Sequence, residues 1–273
     1  MTIHDFVAAS PERKPRRMHR ILGPDDRTVI VALDHATFFG AMAGLDHVRE
    51  LVSTLVAGGA DAIVASYGVA AACASAFGPA ALILRADGGS TRLAPTPTSG
   101  RLLYTAEDAL RLGADAVACM GYPGSRWEET SLRDLAALAS QCHAWQLPVL
   151  GEMLPLVLEN PLEGVTPENV RDAVRIGAEL GADIIKTQYT GSVESFRTVL
   201  AGCYVPVVIL GGPRMGSDAE LLRTTKEALD AGASGVAFGR NIWQHPRPGR
   251  ITSAVAAIVH QGATVEEALG FLA

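Results

Sequence analysis

Lys186 closes the run Gly181-Ala-Asp-Ile-Ile-Lys186, which reads as a buried strand that continues through Thr-Gln-Tyr-Thr to a stop at Gly191. The chain has only three lysines, Lys14, Lys186 and Lys226, against twenty arginines, so a lysine behind two isoleucines is a marked choice. Burial disfavours an ammonium, which must find a partner or lose its proton. A neutral amine can attack a carbonyl and form a Schiff base. The same placement also suits a structural lysine paired with a buried carboxylate, or one that reaches out at the strand end.

Two carboxylates are placed to act with it. Asp34, with His35 beside it, follows the apolar run Thr28-Val-Ile-Val-Ala-Leu33. It reads as a general base or as a carboxylate that tunes Lys186, and equally as a helix cap or loop ion pair. His35 fits a hydrogen-bonding loop residue as well as a site residue. Glu152 interrupts Leu147-Pro-Val-Leu-Gly151, where a carboxylate needs a partner or a proton. A raised pKa would equip Glu152 for proton transfer, and a plain ion pair with Lys186 is the competing account. Farther along, Gly211-Gly212 and Gly239-Arg240 follow apolar runs. Backbone N–H groups in such turns can cradle a phosphate, with Arg240 or Arg214 adding a charge-assisted bond; tight turning alone also explains them. A phosphorylated carbonyl compound is the substrate class these residues suggest.

The elements that must hold these residues are visible in an internal repeat. Gly59-Ala-Asp, Gly113-Ala-Asp, Gly181-Ala-Asp and Gly232-Ala-Ser each follow an amphipathic segment and open a short apolar run. With the runs Ala80–Arg85, Leu147–Met153 and Val205–Leu210, eight strands are predicted near residues 29, 62, 81, 115, 148, 183, 206 and 235. Helices are predicted between them, among them 45–57, 106–112, 131–145, 167–180, 193–200 and 218–231. Alternation of doubly buried strands with helices implies a parallel sheet. Eight units in one chain of this length imply a closed (β/α)8 barrel, an α/β fold, and no G-x-G-x-x-G opens a helix after the first strand. The division expected is an arm and lead-in helix over 1–27 and a barrel over 28–273. In such a barrel chemistry gathers at the C-terminal ends of the strands. Those ends carry Asp34 and His35, Ser66 and Tyr67, Arg85 and Asp87, Met120 to Tyr122, Glu152, Lys186, Gly211 and Gly212, and Gly239 and Arg240.

Composition narrows the classes further. A net charge of −6 gives no electrostatic footprint for nucleic acid. Cys73, Cys119, Cys142 and Cys203 are scattered without ligand spacing, so neither disulfides nor zinc are expected and a reducing cytoplasm is. Residues 62–84 carry no formal charge, but Gly68, Gly78 and Pro79 cut them into strand, short helix and strand rather than one membrane span. The basic stretch Pro11-Glu-Arg-Lys-Pro-Arg-Arg17 reads as a solvated or oligomer-contacting arm. A homo-oligomer is expected, with no membrane or nucleic-acid partner.

Asp34-His35 after Thr-Val-Ile-Val-Ala-Leu, Lys186-Thr-Gln-Tyr-Thr-Gly191, Gly211-Gly-Pro213 and Gly239-Arg-Asn-Ile-Trp-Gln244, in that order, resemble the archaeal-type (DhnA-type) class I fructose-bisphosphate aldolases. That wider family includes 2-amino-3,7-dideoxy-heptulosonate synthase. The likeness extends to Met18-His-Arg-Ile-Leu22, similar to the family's helical lead-in. It implies a Schiff base between Lys186 and dihydroxyacetone phosphate or a related ketose phosphate, with no metal or other cofactor. It also implies proton transfers assisted by Asp34, and a phosphate held around Gly212, Gly239 and Arg240. Two departures stand out: Leu154 occupies the place of the family's tyrosine acid/base, and Leu210 that of a phosphate-loop serine. By strand alternation Glu152 faces the same side as Leu154 and is the candidate replacement.

The leading expectation is a fructose-bisphosphate-aldolase-like carbon–carbon lyase. Alternatives are a biosynthetic aldolase or transaldolase using aspartate semialdehyde, a thiolase-like acyl transfer to coenzyme A, and a phosphosugar-binding barrel without turnover. A metal-dependent aldolase would need a ligand cluster that His35 and His47 do not supply.

Overall fold

The computed structural model describes residues 14–156, except 97 and 99, and 165–273. Its apolar runs form eight parallel strands: β1 (Thr28–Ala32), β2 (Ala62–Ala65), β3 (Ala81–Arg85), β4 (Ala116–Gly121), β5 (Val149–Met153), β6 (Ile184–Thr187), β7 (Val207–Leu210) and β8 (Gly235–Phe238). Each pairs with the next, and β8 returns to β1 in the register Thr28↔Gly235, so the sheet closes as a barrel. This is the expected (β/α)8 architecture.

Strand alternation divides the apolar residues into two cores. Inside the barrel lie Ile30 and Ala32, Val64, Ile83, Ala118, Leu150, Ile184, Val208 and Ala237, with small alanines on several strands making room for branched neighbours. Their outward neighbours, such as Val31, Ile63, Val117, Ile185 and Ile209, pack under the surrounding helices. Ile21, from the helix Pro15–Ile21, belongs to the inner cluster and plugs the N-terminal end of the barrel.

The repeat has a physical explanation. In three copies a glycine ends the helix, the alanine is buried and the aspartate bonds across to a neighbouring strand. Asp61 accepts from Val29 N–H at 2.6 Å, Asp115 from Leu82 N–H at 3.0 Å and Asp183 from Val149 N–H at 2.8 Å. Each carboxylate also holds a cation: His260 Nε2 lies 3.0 Å from Asp61, Arg20 Nη1 2.8 Å from Asp115 and Lys14 Nζ 2.7 Å from Asp183. The motif is a clamp for the starts of the strands.

Two expectations need correction. Lys14 and Arg17 are not part of a solvated arm; the helix begins at Pro15, Lys14 is buried on Asp183, and Arg17 donates to the carbonyls of Trp145 and Gln146, while Arg16 on the same helix is exposed. Only residues 11–13 of that stretch lie outside the described residues. The helix expected from 131 starts at Glu128, because acidic Glu128 and Glu129 suit the positive end of a helix. Among the described residues no helix is long and apolar enough to cross a membrane.

Candidate active site

The inner face of each strand changes character at its C-terminal end. Two positions beyond the inner residues Ala32, Ile83, Ala118, Leu150 and Ile184 come Asp34, Arg85, Met120, Glu152 and Lys186. A period of two brings all five to the barrel's mouth. Register places Met120, Glu152 and Lys186 side by side on β4, β5 and β6. They line one cavity of about 110 Å3 together with Asp34, His35, Arg85, Gly211, Gly212, Gly239, Phe38, Phe39 and neighbouring backbone.

Lys186, only 5% exposed, places Nζ 2.7 Å from Glu152 Oε1. The other Glu152 oxygen accepts from Arg85 Nη2. Arg85 Nε donates to Asp34 Oδ2 at 2.7 Å and its Nη1 to Asp87 Oδ1 at 3.2 Å. Burial alone would raise the Glu152 carboxyl, but the charges of Lys186 and Arg85 outweigh it and hold that group below the ordinary carboxylate range. The raised pKa considered for Glu152 is therefore not what the site imposes; the residue is an ionised acceptor. Burial acts on Asp34 in the same sense and is likewise overcome, here by Arg85, His35 and Lys186, so Asp34 is also held low. Asp87 goes the other way: burial dominates over Arg85, and its pKa is raised.

The glycine turns border this cluster. The ring of His35 lies against Gly239, where a Cβ would come within 2.5 Å of His35 Cε1, so the close approach needs a glycine. His35 Nδ1 sits 3.4 Å from Asp34 Oδ1. Asn241, on the short helix after β8, donates to the carbonyls of Gly211 at 3.0 Å and Pro213 at 3.2 Å, and its Oδ1 accepts from Met215 N–H at 2.7 Å. One side chain thus fastens the β7 turn to the β8 turn.

Of the residues singled out from the sequence, Lys186, Asp34, Glu152, His35, Gly211, Gly212 and Gly239 share the cavity. Arg240 begins the helix after β8 outside its lining, with Nε buried and unbonded among the described residues. Arg214 lines a separate depression with Ser217, Asp218 and His245. Leu154 does not line the cavity either. Arg85 and Asp87 received a position from the sequence but no role, although an arginine ending Ala80-Ala-Leu-Ile-Leu was a signal of the same kind as Lys186.

A lysine and a carboxylate in contact at the mouth of a (β/α)8 barrel, beside glycine turns, are compatible with the class I aldolases, the carbon–carbon lyases that work through a lysine Schiff base. The chain belongs to the DeoC/LacD family aldolases, whose family model matches residues 28–245. It is 38% identical over 94% of its length to 2-amino-3,7-dideoxy-D-threo-hept-6-ulosonate synthase of Halobacterium salinarum, covering 95% of that protein. It is 35% identical to 2-amino-4,5-dihydroxy-6-oxo-7-(phosphonooxy)heptanoate synthase of Streptomyces griseus, over 93% of both chains. Its fold superposes with a TM-score of 0.81 on an archaeal fructose-1,6-bisphosphate aldolase whose catalytic lysine is covalently bound to the carbinolamine intermediate of its substrate. That pair is 29% identical and covers 89% of this chain and 98% of the other.

Proposed function

We propose that Lys186 is the Schiff-base lysine of this aldolase and that its ketone partner is dihydroxyacetone phosphate. The observation that carries this reading is the 2.7 Å contact between Lys186 Nζ and Glu152 Oε1 in the lining of the cavity. An ammonium must give up its proton before it attacks a carbonyl, and Glu152 is the acceptor in hydrogen-bond reach. Nζ then adds to the ketone carbon. The carbinolamine loses its oxygen as water with a proton returned by Glu152, leaving an iminium. Glu152 or Asp34 removes a proton from the adjacent carbon, the iminium takes up the electron pair as an enamine, and the enamine carbon adds to an aldehyde whose oxygen takes that proton back from the carboxyl, regenerating the iminium. Water releases the product and restores Lys186.

The phosphate is assigned to the backbone of Gly211, Gly212, Gly239 and Arg240. Arg240 Nε, a buried donor with no acceptor among the described residues, fits a group that awaits an anion. Arg214 is left to the outer edge of this region. The acceptor we favour is aspartate semialdehyde rather than glyceraldehyde 3-phosphate, because the Streptomyces griseus relative is named for a 2-amino acid product with an oxo group at carbon 6 and a phosphonooxy group at carbon 7. A homo-oligomeric cytoplasmic enzyme is part of the same proposal; sedimentation analysis of the purified chain tests its assembly.

Borohydride reduction in the presence of dihydroxyacetone phosphate, followed by peptide mass spectrometry, is the test. The expected result is a reduced adduct on Lys186 that is absent from Lys186→Met. An enzyme that turns over with no adduct at Lys186 contradicts the reading, and an adduct with no aldehyde accepted would indicate a binding protein. The two aldehydes compared side by side settle the acceptor.

A further inference from the structure

Arg85 is the largest fully buried side chain, 2% exposed, and the chemistry above does not use it. Each of its three guanidinium nitrogens already faces a carboxylate: Nε faces Asp34 at 2.7 Å, Nη1 faces Asp87 at 3.2 Å, and Nη2 faces Glu152. An arginine so occupied is poorly placed to anchor a substrate phosphate or carboxylate. It is also costly, since buried ion pairs often do no better for stability than apolar side chains of the same volume.

What the arrangement does achieve is geometric. A guanidinium offers its donors in one rigid plane, so its position dictates where its partners stand. Glu152 has Oε2 tied to Arg85 and Oε1 presented to Lys186. Asp34 has Oδ2 tied to Arg85 and Oδ1 turned toward His35 Nδ1 at 3.4 Å. Both carboxylates are anchored by one oxygen and offered by the other. Charge tells the same story: Asp34, Asp87 and Glu152 face two cations, Arg85 and Lys186. Burial raises Asp87 against the pull of Arg85, whereas Asp34 and Glu152 are held low, so the three carboxylates around the guanidinium are not equivalent.

We propose that Arg85 is a positioning residue for the aldolase reaction, holding Glu152 and Asp34 as separate ionised bases around Lys186. This rests on the reading of Lys186 as the Schiff-base lysine. The groups that bear on the titration of Glu152 are Asp34, with His35 beside it, beyond β1, Asp87 beyond β3, Tyr122 just past β4, and Lys186 on β6, besides Arg85 itself, while Cys119 on β4 belongs to the outer core. Cys119 and Tyr122 are both pushed up, mainly by burial, and stay neutral through the working range.

The test compares wild type, Arg85→Met and Arg85→Lys by the pH dependence of borohydride-trappable imine formation with dihydroxyacetone phosphate, and by kcat and KM for the aldol reaction. Removing the guanidinium should move the acid limb of the imine profile upward by about one pH unit, because a nearby cation no longer favours ionised Glu152. It should also lower kcat about 100-fold while KM changes far less. Arg85→Lys retains the charge, so its acid limb should stay close to wild type, but one ammonium cannot reproduce the planar fork and kcat should fall about 10-fold. A wild type that traps the ketone beside an Arg85→Met variant with unchanged pH profile and kcat overturns the positioning role and leaves Lys186 in place. If Arg85→Met does not fold, Arg85→Lys decides alone, and full kcat in that variant overturns the proposal. Failure of the wild type to trap the ketone overturns the Lys186 reading and this inference with it.

Discussion

The two ends of the barrel use the same materials to opposite ends. At the N-terminal face, Asp61, Asp115 and Asp183 each bond a strand N–H and one cation, Asp61 and Asp183 through a single oxygen and Asp115 through both. At the C-terminal face, Asp34, Asp87 and Glu152 bond no strand start. They share Arg85 with one another, and Glu152 shares Lys186 as well. The first kind of carboxylate fixes backbone; the second leaves charge and an amine facing a cavity. The difference teaches that an ion pair marks chemistry when its members share charges around a cavity, as Asp34, Glu152 and Lys186 do, and architecture when they tie a strand start to one cation; Asp87, which also accepts from the Met120 backbone, stands between the two.

The comparison can be broken by substitution at either end. Lys186→Met should lower turnover by roughly 10⁴-fold or more in a steady-state assay while the melting temperature holds, since the proposed nucleophile is, among the described residues, the one lysine lining the cavity. Glu152→Gln should lower kcat by about 10²–10³-fold, yet leave an adduct at Lys186 that accumulates slowly under borohydride. Unchanged kinetics would remove Glu152 from the mechanism. At the opposite face Asp183→Ala should leave kcat within about twofold and cost about 3 kcal/mol in denaturant unfolding, because it strands Lys14 and the N–H of Val149. A smaller, pH-dependent effect belongs to His260. It is raised to about 9, chiefly by its hydrogen bond to Asp61 against the cost of burial, with Asp25 adding to the rise. Its contribution is full below the ordinary histidine value of about 6.5 and is lost as pH rises through about 9. The melting temperature should fall across that window, and His260→Gln should flatten the fall at a cost of roughly 2 kcal/mol near neutral pH.

How much of this was legible in the chain depended on whether the signal was local. The strands were, because each is an apolar run bounded by a glycine, and alternation carried Asp34, Glu152 and Lys186 to one end without any knowledge of contacts. The Gly-Ala-Asp repeat was legible as punctuation but not as a clamp, since the partners of Asp183 and Asp115 are Lys14 and Arg20, which lie 169 and 95 residues away. The same distance hid the function of the arm, whose basic character suggests solvent when read alone. Arg85 was hidden for a related reason: its partners Asp34 and Glu152 stand 51 and 67 residues away and meet it only when the barrel closes. The low titration of Glu152 follows from Lys186 together with Arg85, whose charges outweigh burial, so burial alone gave the wrong direction. Arg240 lies two residues beyond Phe238 and Arg214 four beyond Leu210, and the sequence alone does not show where those turns carry them.

The most direct measurement follows the ketone oxygen of dihydroxyacetone phosphate in heavy-oxygen water, with enzyme present and no aldehyde. Forming an imine at Lys186 expels that oxygen as water, and hydrolysis returns one from solvent. The account predicts that wild type exchanges the ketone oxygen far faster than the uncatalysed background and that Lys186→Met does not. Exchange of the adjacent carbon-bound proton without exchange of the oxygen would mean an enolate formed with no covalent lysine, and would contradict it.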